Sequence, residues 1–287
     1  MKTSDKPTPR LDTLHTLLRW EGRLNNARLR ELMGISIVRA SEWLKEFKDT
    51  YPDLVKWDAR TRSLSATKRV FSQRNGKAPP TAELNESLAK YLGLVGLSQS
   101  PNKIVTSSAL WSAFPDLSAP NPAVFSALSE GIRTLRTVVI TYRSMGNPAP
   151  HRRTLDPHSL VRAGRRWHVR AYSHESQGYR DYALGRIVKV DVLDQKSQFS
   201  AEQDEAWNTL VPVKLIAHPH LSLEQQDLIR FEYFNGTSSR IDTCRAALIG
   251  YFIHDIRAAT DPDKQTPPDY QLAVSNIDEV GPWLFPA

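Results

Sequence analysis

Apolar residues recur at helical spacing near the start of the chain. Leu11, Leu14, Leu17 and Leu18 predict a helix that ends near Glu21-Gly22. Asn25 can cap a second helix over 26–33, with Leu29, Leu32 and Met33 inward. Gly34-Ile35-Ser36 reads as a tight turn. Ser36 can cap a third helix from Ile37 to about Thr50, with Ala40, Leu44 and Phe47 as its buried stripe and Tyr51-Pro52 closing it. Two short helices joined by a Gly-containing turn read as a helix-turn-helix, whose second helix enters the DNA major groove. Leu54 to Trp57 and Ser63 to Ala66 then predict a two-stranded wing around Asp58-Ala59-Arg60-Thr61-Arg62.

The pattern changes after Ser72. Gly76-Lys77-Ala78-Pro79-Pro80 is a turn-rich boundary, and Thr81 can cap a helix carrying Leu84, Leu88, Tyr91 and Leu92. A segment punctuated by Pro, Ser and Asn follows, with Trp111 and Phe114 available for packing. A helix over 122–134 carries Val124, Phe125 and Leu128. Four short β-type runs come next: 138–142, 152–158, 165–172 and 179–187. They predict a small, strongly bent sheet or partly open barrel. In the third run Trp167, Val169 and Ala171 share one face, and His168, Arg170 and Tyr172 the other. In the fourth, Arg180, Tyr182, Leu184 and Arg186 fall together. One face can fill a core, and the other carries cations and aromatic rings suited to an anionic, aromatic ligand.

Beyond Gln195, Val211 to Ala217 reads as a strand, Leu221 onward as a helix capped by Ser222, and 242–258 as a further helix. The organisation expected is α+β in four parts: 1–75 a winged helix-turn-helix, 76–125 a helical connector, 126–200 a sensing domain, and 201–287 a C-terminal α/β extension.

Charge sharpens this division. Residues 1–75 carry 16 Lys/Arg against 9 Asp/Glu, residues 76–200 again 16 against 9, and residues 201–287 only 6 against 13. Polyanion contact therefore belongs to the first two segments. On the third helix Ser36, Arg39, Ser41, Glu42 and Lys45 are the DNA-facing candidates, joined by Arg60 and Arg62 of the wing. The single cysteine, Cys244, excludes an internal disulfide framework and fits a reducing cytoplasm. Neither a signal-peptide pattern nor an apolar stretch of bilayer length stands out, so a soluble cytoplasmic protein is expected. His218-Pro219-His220 lacks the partner cluster a zinc site needs and reads as a structural corner. Phosphate loops, dinucleotide fingerprints, HExxH and nucleophile elbows are missing, which leaves no support for an enzyme, cofactor or metal.

The order Arg153 to Pro157, Trp167-His168-Val169, Ala171-Tyr172, then Arg180-x-Tyr182-x-Leu184-x-Arg186-Ile187 resembles the WYL-domain family of bacterial transcriptional regulators. Trp167-His168-Val169 stands where that family has Trp-Tyr-Leu. The segments Ala217 to Ser222 and Arg245 to Tyr251 resemble the C-terminal extension of WYL regulators encoded beside BREX and CBASS phage-defence systems. The resemblance implies an Sm/SH3-like β-barrel that senses a nucleotide or nucleic acid, and a homodimer built by the extension. It implies phosphate-gripping roles for Arg153, Arg180 and Arg186. Tyr142 and Tyr172 are candidate stacking or hydroxyl donors, and Ser144, His158, His168 and Arg170 complete the ligand set. The expected function is a homodimeric repressor of a phage-defence operon, bound to a pseudo-palindromic duplex operator and modulated by a nucleotide or single-stranded effector. An activator of the same architecture and a non-specific single-strand-binding accessory are the alternatives.

Overall fold

A computed structural model describes residues 8–71, 81–96, 120–164 and 166–285. The Gly76 to Pro80 boundary, Trp111 and Phe114 lie outside the described residues. The chain forms two compact units, Met1–Pro115 and Asp116–Ala287.

In the first unit, α1 (Pro9–Glu21) starts on a proline whose missing N–H is no loss there, and stops at Gly22 in the left-handed conformation. It buries Leu14, Leu17 and Leu18 completely, each worth about 1.5–3 kcal/mol in transfer from water. A short strand, β1 (Arg23–Leu24), leads to α2 (Asn26–Met33), where Asn25 Oδ1 accepts the Arg28 N–H at 2.8 Å. Gly34, at φ 62°, turns the chain into α3 (Ile37–Thr50), capped by Ser36. The expected buried stripe holds: Ala40, Leu44 and Phe47 join the α1 leucines and Leu29 in one core. The wing strands β2 (Val55–Asp58) and β3 (Ser63–Ala66) pair antiparallel, and β1 adds a third strand in the order β1-β3-β2. Two residues are too few to show alternation, so β1 escapes a sequence reading. The last helix, α4 (Thr81–Val95), packs Tyr91 into this core, with Trp20 Nε1 donating to Ser87 Oγ.

The second unit opens with α5 (Pro122–Thr134), capped by Asn121 and burying Val124 and Leu128 under a sheet. That sheet comprises β4 (Arg136–Tyr142), β5 (His151–Ala163), β6 (Arg166–Ser173), β7 (Gly178–Ala183) and β8 (Ile187–Lys196). Its order is β7-β6-β5-β4-β8, antiparallel throughout. Among the described residues β7 and β8 do not pair with each other, so the sheet is open, where the resemblance implies a closed barrel. Pro157, which has no N–H to give, precedes a register shift against β6. The fourth predicted run is two elements: a 3-10 turn over Leu184–Arg186 separates β7 from β8 and takes Arg186 off the strand.

The C-terminal part carries α6 (Glu205–Asn208), β9 (Leu210–Ala217), α7 (Leu223–Phe234), β10 (Ser239–Arg245), α8 (Ile249–Asp255), β11 (Ala258–Ala259), β12 (Leu272–Val274) and α9 (Ile277–Val280). Its sheet runs β10-β9-β12-β11, with only the β11–β12 pair parallel. Ser222 caps α7 in a reciprocal box with Gln225. The expected helix over 242–258 is corrected. Asp242 to Arg245 finish β10, whose exposure alternates with period 2, and the helix begins only at Ile249. Pairing with β9 overrides the apolar spacing that suggested a longer helix.

Candidate nucleic-acid interface and central cleft

The outward stripe of α3 carries Val38, Ser41, Glu42 and Lys45, with Arg39 beside it, all exposed. Arg39, Glu42 and Lys45 make no ion pair or hydrogen bond with another described side chain. The two serines are engaged internally. Ser36 Oγ accepts the Arg39 N–H at 3.2 Å, and Ser41 Oγ accepts from Asn26 Nδ2 at 2.8 Å. The same Asn26 amide donates to the Ile37 carbonyl at 2.7 Å, so it fixes the first turn of α3 against α2. At the wing tip, Asp58 accepts from the Arg60 and Thr61 backbone and from the Thr61 hydroxyl. These bonds, the Thr61 hydroxyl first, hold the Asp58 carboxyl below its ordinary pKa. The turn, with Arg62 at φ 48°, leaves the side chains of Arg60 and Arg62 in solvent.

In the five-stranded sheet, residues directly opposite in register share a face. Val169 faces Tyr182, and Ala171 faces Arg180. Ile140 faces Arg153, and Tyr142 faces His151. Arg153, Arg180, Tyr142 and Tyr182 therefore lie on the face of the apolar core, at its mouth. There they surround a cleft of about 290 Å³ with Ser144, Ser173, Glu175 and Asp181 among its walls. The rings of Tyr142 and Tyr182 meet edge-on at 5.1 Å. Burial pushes the Tyr182 phenol up, which keeps it a neutral donor at physiological pH. Neither Arg153 nor Arg180 pairs with another described residue. Glu175 is occupied, accepting the Thr154 N–H at 2.7 Å. The cleft thus presents two uncommitted guanidinium groups beside aromatic rings, which suits an anion attached to a planar group.

His158, His168, Arg170 and Tyr172 lie elsewhere. They belong to the opposite face of the sheet, which the C-terminal part covers. Arg170, 7% exposed, grips Asp204, 1% exposed, through Nε at 2.6 Å and a terminal nitrogen at 3.0 Å. It also donates to Asp181 at 3.2 Å. His158 Nε2 lies 3.1 Å from Asp204, and Tyr172 stacks on Phe199 at 3.5 Å between centroids. His168 packs against Tyr251, whose hydroxyl donates to Asp181 at 3.1 Å. Burial alone would raise the Asp204 carboxyl; the hydrogen bonds and charge of Arg170, with the Trp207 N–H, outweigh it and hold the group below its ordinary range. Burial pushes His158 and His168 down, so both are neutral. Arg186 lies at the 3-10 turn, close enough to His168 for its charge to oppose protonation of that ring.

Of the nine ligand candidates the structure brings Tyr142, Ser144, Arg153 and Arg180 together. It places Arg170, His158, His168 and Tyr172 in a buried seam with residues 199–251 and leaves Arg186 apart. Asp204 and Tyr251 gave no local signal, because their roles depend on contacts across dozens of residues. The other carboxylates near the basic strands are partnered too: Asp191 by Lys189, and Asp156 by Thr137 and the backbone N–H groups of Gln198 and Phe199. His218 is fully buried, accepting from the His220 N–H and bonded through Nε2 to the Gln265 carbonyl. Both its ring nitrogens are engaged, as a structural corner requires.

Three family models cover most of the chain. Residues 7–74 match the BrxR transcriptional regulator winged helix-turn-helix domain, residues 123–192 the WYL domain, and residues 210–280 the BrxR transcriptional regulator C-terminal dimerization domain. A DNA-binding transcriptional repressor, CapW of Escherichia coli, is 34% identical over 94% of this chain and 89% of its own. The chain belongs to the BrxR and CapW family of WYL-domain transcriptional regulators. CapW of Pseudomonas aeruginosa is 31% identical over the same shares, and that of Stenotrophomonas maltophilia 27% identical over 96% and 91%. In BrxR terms α1 to β3 form the winged helix, α5 to β8 the WYL domain, and β9 to α9 the dimerisation domain. Among the described residues no helix is long and apolar enough to cross a membrane.

Proposed function

We propose that this protein is a homodimeric, sequence-specific transcriptional repressor acting in the cytoplasm on a pseudo-palindromic duplex operator. The observation that carries the reading is the outward stripe of α3 beside the wing, where Arg39, Lys45, Arg60 and Arg62 stand free on a basic segment. Internal bonds rigidify that turn through Ser36, Ser41 and Asn26. A two-fold dimer would present two such stripes to two half-sites. The division of labour proposed is 1–75 for DNA, 76–125 as connector, 126–200 for sensing and 201–287 for self-association. Self-association is assigned to the outer side of the dimerisation domain, where Leu228 and Phe231 of α7 and Ile241 of the edge strand β10 are all exposed.

The effector we assign to the cleft is a nucleotide or single-stranded nucleic acid, gripped by Arg153 and Arg180 with Tyr142 and Ser144 alongside. His158, His168, Arg170, Tyr172 and Arg186 then act behind the cleft, relaying its state to the dimerisation domain. A phage-defence operon is the proposed target, by kinship with the BREX- and CBASS-associated regulators that the sequence resembles.

The test is a mobility-shift titration on the upstream region of the protein's own gene, with a scrambled duplex and a single strand beside it at physiological salt. Tight binding to the upstream duplex alone, about 10³-fold or more above random DNA, is expected. Equal binding to all three would replace the operator reading with a general nucleic-acid binder.

A further inference from the structure

The first turn of α3 breaks two local rules at once. Ile37 and Val38 are both large, β-branched and exposed, at 59% and 67%. β-Branched residues are poor choices on a solvated helix surface, where packing gives nothing back. The turn also carries no acidic residue, although a carboxylate there would favour the helix dipole. Positions that violate local preference without a packing reason are where function is found.

Val38 lies at the centre of the outward stripe, one turn before Glu42 and two before Lys45. Glu42 decides what that stripe can face. A carboxylate set against phosphates is repelled by them, whereas over base edges it accepts from a cytosine amino group. The stripe therefore looks into the groove floor, and the flanking Arg39, with Arg60 and Arg62 of the wing, supplies the phosphate contacts. On the groove floor the apolar feature that unmodified DNA offers is the thymine C5-methyl group. Asn26 holds the Ile37 carbonyl and the Ser41 hydroxyl, so the backbone carrying Val38 is fixed in place rather than free to retract.

From these observations we infer that Val38, flanked by Ile37, is a specificity-determining residue that reads the methyl group of a thymine in each operator half-site. The inference rests on the operator reading above and adds to it the identity of one base.

Its test uses the full chain and a duplex selected from a random pool by the wild-type protein. Each thymine of that duplex is replaced singly by deoxyuridine, which removes only the methyl group. One thymine per half-site should lose about fourfold in affinity, the equivalent of one buried methyl. Val38→Ala should fold as the wild type, keep the same salt dependence, and bind the thymine and deoxyuridine duplexes equally. Full sensitivity to deoxyuridine in Val38→Ala, or no sensitive thymine in the wild type, overturns the assignment while leaving the operator reading intact. Failure of the pool to enrich any duplex overturns both.

Discussion

Asp181 follows the cleft residue Arg180 in β7, but its carboxylate lies on the opposite face of the sheet, beside Arg170, and accepts a hydrogen bond from the Tyr251 hydroxyl of the dimerisation domain at 3.1 Å. This carboxylate ties the sheet to the C-terminal part, and Arg170 bridges it to Asp204. Tyr251→Phe removes only the hydroxyl, and denaturant unfolding should show a loss of about 1–2 kcal/mol. A wild-type curve from that variant would show that the contact carries no weight.

Breaking the seam at its charged centre is more costly. Arg170→Ala leaves Asp204 buried without its guanidinium, and a loss of about 3–5 kcal/mol is expected. Replacing both partners, as Arg170→Met with Asp204→Leu, should be milder than either single change. A double-mutant cycle measures the difference; strict additivity would dissolve the pair.

The cleft arginines separate from the fold. Arg153→Ala and Arg180→Ala should melt as the wild type does, since neither group pairs internally. Each should weaken binding of a 5′-phosphorylated single-stranded oligonucleotide by about tenfold or more, the loss of one charge-assisted bond. Titration calorimetry on the full-length protein reads this, and unchanged affinity in both variants moves the ligand site elsewhere.

The outer face of the dimerisation domain can likewise be separated from the fold. Phe231, 77% exposed, is the most exposed large hydrophobic side chain on α7. Phe231→Glu should halve the mass seen by sedimentation and lower operator affinity by about 10²-fold, because two linked half-site contacts become one. An intact dimer would place self-association on another surface.

Acid should destabilise the protein, and the sign follows from burial. His15, His158 and His168 all have pKa values lowered by burial, so the unfolded chain takes up protons first. The stability they supply is complete above the unfolded value of about 6.5 and declines as pH falls below it, until the folded groups protonate. The depressed Asp204 adds a further loss at lower pH, below the ordinary carboxylate range. The apparent Tm should therefore drop between pH 7.5 and pH 5.5. The His158→Gln, His168→Gln double variant should show a shallower drop; an identical pH profile would mean that these rings titrate normally.

Much of the architecture was legible along the chain because its signals are local. The caps Asn25, Ser36 and Ser222 act within three residues, and leucine spacing marks the buried stripe of α1. The free cations of α3 and the wing were legible for the same reason: a turn and a helix face put them in solvent. Where a local pattern had a long-range competitor it misled. The apolar spacing over 242–258 suggested a helix, and the pairing of Asp242 to Arg245 with β9 claimed the first part for a strand.

Tertiary structure alone decided how the ligand candidates divide. Alternation says that Arg180 and Tyr182 share a face, and that His168 and Arg170 share one, but not whether the two faces coincide. Register settles it. Ala171 stands opposite Arg180 and Arg170 opposite Asp181, so the arginines point to opposite sides of the same sheet. A slip of one residue would exchange them, since side chains alternate with a period of two. Nor does any spacing announce that Asp204 neutralises Arg170 from 34 residues away. The sequence determined the elements, their order and their charge; register and the closing of one domain over the other determined which arginines remain free to bind.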